Sequence, residues 1–402
     1  MATAGLPNTR RHRAHDVLAG YVDRGEIPGL VALTSRHGDT HVDAIGAMSA
    51  GGKPITRDTI FRISSMTKPV VAAAAMILVE ECVLRLHDPV DRLLPELADR
   101  RVLTDLTAPL TDTVPADRPI TLFDLLTFRL GLGMLMASPG TYPIQQAIAD
   151  LRVGDGPPSP DAMPTPDEWL RRIGTLPLTH QPGARWLYNT GSDILGILVA
   201  RAVGQPLDAF LHERIFAPLD MIDTGFSVPS GKLDRFATSY WTDPRTGELT
   251  MYDPAEGGQW SRPPAFPSGG GGLVATADDY LAFARMLLAG GRYGGERILS
   301  STSVALMTTD HLTPAQKAVS GLYPGHFDNR GWGLGMQVVT GREDIAAAPG
   351  QYGWDGGLGT SWTSDPEAGL ITILLTQRAF SSPSPPSYLR DFRTSVYQAL
   401  DD

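Results

Sequence analysis

The sequence has one cysteine, no long apolar run and no basic run. A single cysteine, Cys82, cannot form a disulfide within the chain, and such scarcity is typical of a reducing compartment. No stretch of about eighteen apolar residues occurs, so no membrane-spanning helix is predicted. The basic start, residues 1–16, lacks the apolar segment of a secretory signal. We therefore predict a cytoplasmic protein without a membrane partner, with Cys82 buried in a helix as a small hydrophobic side chain.

Charge and missing motifs exclude further classes of protein. The 402 residues carry a formal net charge of −10, which argues against a nucleic-acid partner. A metal site lacks support, because there is no His-Glu-x-x-His motif and no cysteine pair. The Gly-x-Ser-x-Gly motif of α/β-hydrolases is absent, and Gly231-Lys232 lacks the upstream glycine of a phosphate-binding loop. A small molecule is the expected partner, and a homo-oligomer is left open.

The two ends of the chain carry mirrored patterns. Near the N-terminus, a helical pattern over residues 14–24 precedes a predicted hairpin over residues 30–46. Near the C-terminus, a predicted hairpin over residues 361–376 precedes a helical pattern over residues 389–400. This arrangement predicts one antiparallel sheet assembled from both ends of the chain.

Between these ends, helical patterns alternate with long loops rich in proline and glycine. Two such loops, residues 138–166 and 240–272, are longer than a compact domain usually carries without a function. The second loop holds four aromatic residues that could wall a substrate pocket or simply pack beneath the loop: Trp241, Tyr252, Trp260 and Phe266. We expect a mainly helical domain over residues 70–265, inserted between residues 1–69 and 266–402 of an α/β domain.

The most informative segment is Ser65-Met66-Thr67-Lys68, which precedes the alanine-rich helical pattern of residues 70–79. A helix that begins here places Ser65 and Lys68 one turn apart on the same face. A serine hydroxyl becomes a good nucleophile when a neighbouring group takes its proton, and this amine is placed to do so. Ser-x-x-Lys opens the signature of the penicillin-binding and serine β-lactamase enzymes. Taken alone, the tetrapeptide could equally be a serine helix cap followed by an exposed lysine.

Two further segments carry candidate functional residues. Tyr188 lies on a loop between a Pro/Gly turn and a helical pattern, with Asn189 and Thr190 as hydrogen-bonding neighbours. The segment of residues 353–359 is dense in glycine and leads into a predicted strand, so it could aim an N–H at a carbonyl oxygen beside the Ser65 N–H. Taken singly, Tyr188 could be a packed aromatic residue, and the glycine run could be a bulge or turn.

The order and spacing of these three motifs resemble those of the class C β-lactamase and penicillin-binding protein superfamily. The resemblance covers nearly the whole chain and looks closest to the family VIII carboxylesterases. It is carried by residues 61–69, 186–196 and 271–279. It implies an α/β (α+β) fold, with a mostly antiparallel sheet flanked by helices and an inserted helical domain.

The resemblance also implies roles for individual residues. Ser65 would be the nucleophile, Lys68 and Tyr188 would take its proton, and the N–H groups of Ser65 and Gly357 would form the oxyanion hole without a cofactor. Free lysine and tyrosine both have pKa values of about 10. Proximity of an ammonium favours the phenolate and burial favours the neutral amine, so which of the two carries the proton is left open. The remaining motif residues are expected to bind substrate: Trp354, Asp355, Gly356, Asn189 and Thr190.

Departures from the β-lactamase pattern bear on the substrate. Trp354 stands where a lysine or histidine is usual, and Thr190 stands in the usual asparagine position. A cation would bind the carboxylate of a β-lactam, whereas an indole beside the Asp355 carboxylate would not. Family VIII esterases share both features, which favours a neutral ester. A third departure, Phe128-Arg129-Leu130-Gly131 in place of His-Thr-Ser-Gly, has no explanation in the sequence.

We therefore predict a serine hydrolase, a carboxylesterase that cleaves small, largely neutral esters through an acyl-enzyme on Ser65. The same side chains would also serve a β-lactamase, an amide hydrolase or an acyltransferase, and weak β-lactam turnover as a side activity would fit the site. A non-catalytic binding module is less favoured, because Ser65, Lys68 and Tyr188 are all present.

Overall fold

The structure, a computed structural model, describes residues 8–154 and 156–400. Within these ranges the α-helices are α1 (Asn8–Asp23), α2 (Thr67–Glu80), α3 (Leu122–Leu126), α4 (Pro143–Asp150), α5 (Pro166–Thr175), α6 (Thr190–Val203), α7 (Leu207–Leu211), α8 (Ala277–Leu288), α9 (Ser301–Met307), α10 (Pro314–Ala318) and α11 (Ser387–Tyr397). The strands are β1 (Gly29–Arg36), β2 (Asp39–Gly46), β3 (Phe61–Arg62), β4 (Arg101–Leu103), β5 (Thr113–Pro115), β6 (Ser239–Thr242), β7 (Leu249–Asp253), β8 (Val274–Ala275), β9 (Arg292–Tyr293), β10 (Glu296–Arg297), β11 (Arg330–Trp332), β12 (Gln337–Val339), β13 (Tyr352–Gly356), β14 (Thr360–Asp365) and β15 (Leu370–Thr376).

A seven-stranded sheet organises the molecule. Its strands follow the order β11-β12-β13-β14-β15-β1-β2, and each neighbouring pair is antiparallel. Strand β1 lies between β2 and β15, with Leu30 opposite Ile45 on one side and Thr376 on the other. The prediction of one antiparallel sheet built from both ends of the chain is confirmed.

Helices cover both faces of this sheet. On one face, α1 and α11 pack together and bury Leu18 and Phe392 against Leu30 of β1. On the other face, α8 packs against β1, β14 and β15, and the alternate residues Val31 and Leu33 join the main core. Successive residues of a strand point to opposite faces, so β1 is buried on both sides.

Helix α2 runs through the main core. Twelve of its fourteen residues are buried, including Lys68. A helix that is apolar on all sides belongs in a core, and its alanine side chains let neighbouring elements approach closely. Pro69 lies in the first turn, where its missing N–H costs no helical hydrogen bond. The helix therefore holds its first turn, with Lys68, inside the protein.

Cys82 lies outside the helix in which it was predicted to be buried. Helix α2 ends at Glu80, and Cys82 follows with a φ of 59° and an exposed side chain. A turn closes here, because the Cys82 N–H donates to the Val79 carbonyl and the Val83 N–H donates to the Leu78 carbonyl. The left-handed backbone of this turn directs the thiol to solvent, so the prediction of a buried cysteine was wrong.

Between the terminal parts of the sheet, the chain is mostly helical. Helices α2 to α7 and two small hairpins, β4–β5 and β6–β7, occupy this stretch. This distribution agrees with an inserted helical region, whose limits at residues 69 and 265 stay a prediction.

In the part of the chain that the structure describes, no single helix has both the length and the apolar character needed to cross a membrane. Two consecutive helical segments, Thr190–Val203 and Leu207–Phe216, pass that test only as a pair bent by 82°.

Candidate active site

Ser65 lies in a short 3-10 turn, residues 64–66, between β3 and α2. Ser64 adopts a φ of 48°, a left-handed conformation that is unfavourable for a residue with a side chain. Thr360 Oγ1 holds the turn by donating to the Ile63 carbonyl at 3.0 Å. The turn thereby fixes the Ser65 hydroxyl at the N-terminus of α2, where the helix adds partial positive charge.

The Ser65 hydroxyl contacts both candidate bases. Lys68 Nζ lies 2.9 Å from Ser65 Oγ, and Tyr188 Oη lies 2.8 Å from the same atom. Lys68 Nζ also donates to the Gly270 carbonyl, and Trp354 Nε1 donates to Tyr188 Oη at 2.9 Å. The structure thus brings the three predicted catalytic side chains together at one oxygen atom, although Tyr188 is 123 positions from Ser65.

Burial changes the proton affinity of Lys68. Loss of solvation lowers the pKa of Lys68 to about 7, and the nearby Asp193 carboxylate opposes this change. Asp193 is itself buried, which raises the pKa of its carboxyl group, and its Oδ1 accepts from Ser268 Oγ at 2.6 Å and from the Gly270 N–H at 3.0 Å. A substantial fraction of Lys68 is therefore a neutral amine at neutral pH, able to accept a proton.

Burial has the opposite effect on Tyr188. It raises the pKa of the Tyr188 phenol well above its ordinary value, and the hydrogen bonds with Ser65 and Trp354 offset this only in part. Because the Trp354 indole can only donate, it occupies a lone pair of Tyr188 Oη. The phenol hydrogen is then directed at Ser65 Oγ.

The loop after α3 positions Tyr188. The Leu187 N–H donates to the Phe128 carbonyl and the Met134 N–H donates to the Tyr188 carbonyl, each at 2.8 Å. The Phe128 ring packs edge-on against Tyr188, with 5.8 Å between centroids. After Tyr188, Asn189 adopts a φ of 93° and leads the chain into α6. Phe128, unexplained by sequence alone, therefore belongs to the aromatic support of the phenol.

Trp354 and Asp355 occupy the end of β13. Only 8% of Trp354 is exposed, and its ring centroid lies 5.6 Å from that of Tyr188. Asp355 pairs with Arg393 of α11 at 2.8 Å. An indole and an ion-paired carboxylate therefore occupy the position where the β-lactamase pattern has a lysine or histidine.

Gly356 and Gly357 bring β13 up to the Ser65 turn. A Cβ at Gly356 would lie 2.3 Å from the Ile63 carbonyl oxygen, so only glycine permits this approach. Gly357, in the turn to β14, is exposed and lines the same cavity as Ser65. The two predicted oxyanion-hole residues thus face one space.

Ser65 and Tyr188 open on a cavity of about 360 Å³, within the usual range for small-molecule sites. Its lining includes apolar residues, most of which come from the two long loops: Met134, Pro158, Pro160, Met163, Trp241 and Phe266. It also includes polar residues: Tyr323, His326, Arg330 and Gln337. Of the predicted substrate-binding residues, Trp354, Asp355 and Asn189 line the cavity, whereas Gly356 and Thr190 are buried beside it.

The two long loops are tied to each other over this cavity. Tyr252 Oη donates to the Pro158 carbonyl at 2.5 Å, and Ser159 Oγ donates to Gln259 Oε1 at 2.9 Å. Trp260 is fully buried, and its indole N–H donates to the Gly272 carbonyl at 2.9 Å. Of the four loop aromatics, two therefore line the cavity, while the other two hold the loops in place.

Sequence reasoning missed three residues of this region. Asp193 and Gly270 form the link that holds Lys68, and His326 lines the cavity. An acidic residue in the first turn of the helix after Tyr188, together with the run of four glycines at residues 269–272, could have indicated the first two. No sequence signal pointed to His326.

The groups that meet at Ser65 Oγ are a hydroxyl, an amine and a phenol, which are the side chains that nucleophilic catalysis by serine requires. Within the described ranges, no three side chains of His, Cys, Asp or Glu come close enough to hold a metal ion.

An antiparallel sheet flanked by helices, with a Ser-x-x-Lys helix in its core, defines the β-lactamase-like class of serine enzymes. The chain belongs to the Beta-lactamase family, whose model matches residues 14–391. Protein Rv1367c of Mycobacterium tuberculosis is 42% identical to it, over 88% of this chain and 87% of that protein. Esterase EstB of Burkholderia gladioli is 32% identical, over 92% and 90% of the two chains. The solved structure of EstCE1, a hydrolase with promiscuous acyltransferase activity, superimposes with a TM-score of 0.77 at 28% identity, covering 97% and 98%. The predicted family and fold are confirmed.

Proposed function

We propose that this chain is a serine carboxylesterase that cleaves small, largely neutral esters through an acyl-enzyme on Ser65. The observation that carries the proposal is the convergence of Lys68 Nζ and Tyr188 Oη on Ser65 Oγ, at 2.9 and 2.8 Å. Similarity to EstB, an esterase by name, supports the same reaction.

Lys68 acts as the base in the first step. The indole N–H of Trp354 donates to Tyr188, and the phenol donates to Ser65 Oγ, so the Ser65 hydrogen is left to donate to the neutral amine of Lys68. As Ser65 Oγ attacks the ester carbonyl carbon, Lys68 takes the proton. The N–H groups of Ser65 and Gly357 stabilise the negative charge that develops on the carbonyl oxygen.

Tyr188 returns the proton to the leaving alcohol. It lines the cavity, whereas Lys68 is fully buried behind it. The phenol donates to the leaving oxygen and recovers a proton from the Lys68 ammonium, because Lys68 Nζ and Tyr188 Oη both contact Ser65 Oγ. Water then attacks the acyl-enzyme by the reverse of these steps, releasing the acid and restoring the Ser65 hydroxyl.

The charges around the cavity favour a neutral substrate. Both arginines that line it are already paired, Arg330 with Glu343 and Arg393 with Asp355. An anionic substrate would have to compete with these carboxylates, whereas a neutral ester would not. We place this activity in the cytoplasm, in keeping with a chain that has a single cysteine.

Acyl transfer to an alcohol is the second candidate function. It would use the same acyl-enzyme, with an alcohol in place of water. The apolar lining residues favour it, because a site lined by Trp241 and Phe266 can hold an apolar acceptor and limit the access of water. EstCE1 combines both reactions.

Replacement of Ser65 by alanine tests the proposal. We expect Ser65→Ala to abolish labelling by a fluorophosphonate probe and to reduce p-nitrophenyl butyrate hydrolysis to background, because no other hydroxyl is in contact with Lys68 and Tyr188 among the described residues. Mass spectrometry of the labelled protein should place the adduct on the Ser65 peptide. Ser230→Ala, at an exposed position, is the matched control and should be labelled like the wild type. A Ser65→Ala protein that hydrolyses the ester at the wild-type rate would refute the proposal.

The preference for an ester over a β-lactam is a second test of the proposal. The wild type should favour p-nitrophenyl butyrate over nitrocefin by roughly 10- to 100-fold in kcat/KM, because the arginines that line the described cavity are already paired with carboxylates and would bind a lactam carboxylate poorly. The two rates are measured on one preparation. Butanol added to the ester assay reports butyl butyrate, and a dominant yield of that product would favour the transferase. Faster turnover of nitrocefin than of the ester would contradict the assignment.

A further inference from the structure

His326 is a buried polar side chain that the proposed mechanism does not use. It is 3% exposed, and neither ring nitrogen has a hydrogen-bond partner among the residues that the structure describes. The ring is held by aromatic neighbours, with centroids of Phe327, Tyr323 and Trp186 at 4.6, 4.9 and 5.9 Å. Phenylalanine would serve such contacts without leaving two polar atoms unpaired, which is unfavourable in a protein interior. A partner for the imidazole would therefore come from outside the described residues.

The cavity supplies the place for that partner. His326 lines the same space as Ser65 and Tyr188. Trp186 connects it to the catalytic phenol, since the indole stacks on Tyr188 with centroids 5.7 Å apart and on His326 with centroids 5.9 Å apart. Through the Trp186 ring, His326 is therefore linked to Tyr188, and both residues line the cavity.

Because His326 is linked to Tyr188, it would contact the alcohol part of the substrate and not the acyl part. The leaving oxygen must lie beside Tyr188, because that phenol returns its proton in the proposed mechanism. The alcohol part therefore extends from Tyr188, the residue to which His326 is linked through Trp186. The acyl chain has apolar lining residues such as Pro158 and Phe266 available to it.

We propose that His326 is a specificity-determining residue that hydrogen-bonds a hydroxyl group on the alcohol part of the ester, so that the preferred substrates are esters of diols and other polyhydroxy alcohols. A neutral imidazole offers one N–H donor and one acceptor, and a hydroxyl offers the complementary pair. Burial lowers the pKa of His326 to about 4, so the ring is neutral at pH 7. This inference rests on the proposed esterase function.

Matched pairs of butyrate esters test the inference. One series carries ω-hydroxyalkyl alcohols of two to six carbons, and the other carries n-alkyl alcohols with a methyl group in place of the hydroxyl. For at least one chain length, the wild type should prefer the hydroxyalkyl ester by about 10-fold or more in kcat/KM. His326→Phe keeps a ring and removes both polar atoms, so its ratio should fall to about one. His326→Asn keeps a donor and an acceptor, and should retain part of the preference.

Comparison of the two rates within each variant cancels any general loss of activity. The control is His180→Phe, because His180 Nε2 is also buried without a partner in the described ranges, but this residue does not line the cavity. Its ratio should match the wild type. If His326→Phe does not fold, the ratio of the two rates in the wild type and in His326→Asn still tests the role of His326.

The outcomes separate this inference from the proposed function. A wild type that hydrolyses p-nitrophenyl butyrate but shows no hydroxyl preference overturns the role of His326 and leaves the esterase standing. A preference that His326→Phe retains also overturns it, as does a preference found only for hydroxyl groups on the acyl part. Failure to hydrolyse any ester, p-nitrophenyl butyrate included, would instead count against the esterase itself.

Discussion

Lys68→Met should lower kcat for p-nitrophenyl butyrate by about 10³-fold, since general-base catalysis typically contributes about 10²- to 10⁴-fold. Lys68 Nζ lies 2.9 Å from Ser65 Oγ. Because burial lowers the pKa of Lys68 to about 7, this amine can accept the Ser65 proton at neutral pH. Methionine has a similar length and suits the fully buried site, so the change removes the base without leaving a large void. Steady-state kinetics on the purified variant measure the effect.

The pH dependence of the wild type tests the same assignment. The active form of Lys68 is the neutral amine, and burial lowers its pKa to about 7. The rate should therefore be low in acid, rise through about pH 7 and level off above it, and the rise should disappear in Lys68→Met. Lys53→Met, at an exposed position, is the control and should keep both the rate and the profile. A loss below tenfold in Lys68→Met, or an unchanged pH profile, would show that another group takes the proton.

The terminal hairpins were predictable because their signals are local. Alternating apolar residues and short polar turns identify β1–β2 and β14–β15 without knowledge of the rest of the chain. For β13 the sequence left a glycine-rich strand, a bulge and a turn open, because residues 353–359 have the glycine density of a loop. Its extended form depends on pairing with β14, where Trp354 lies opposite Trp362, and such pairing cannot be read from local propensity.

The candidate site, too, was predictable from the sequence only in part. The order of the motifs predicted that Ser65, Lys68 and Tyr188 would meet, and they do so in the structure. Trp354 was expected to bind substrate, but its indole N–H is used on Tyr188. That contact depends on how β13 packs against the loop before α6, which spacing along the chain does not encode. His326 was not predicted as a cavity residue for the same reason: its burial among aromatic rings depends on the tertiary fold and not on nearby sequence.

The second large effect concerns a buried ion pair that supports the Ser65 turn. Arg62, three residues before Ser65, and Asp253 of β7 each have side chains only 2% exposed. Arg62 Nε donates to Asp253 Oδ2 at 2.8 Å, and the guanidinium also donates to the Ala237 and Pro254 carbonyls. The pair therefore connects the strand that leads to the nucleophile with the loop that covers the cavity.

Asp253→Asn should destabilise the protein by about 3–5 kcal/mol, because it leaves the Arg62 charge buried without a counter-charge. Urea unfolding followed by tryptophan fluorescence measures the shift in midpoint. Asp278→Asn is the matched control, because it breaks an exposed ion pair: the Asp278 side chain is 42% exposed and that of its partner Arg57 is 56% exposed. This change should lower the free energy of unfolding by at most about 1 kcal/mol. Equal midpoints for the two variants would mean that the buried pair does not hold the loop. A large shift in Asp253→Asn alone, with reduced esterase activity in the protein that remains folded, would instead show that the Ser65 turn depends on this link across the fold.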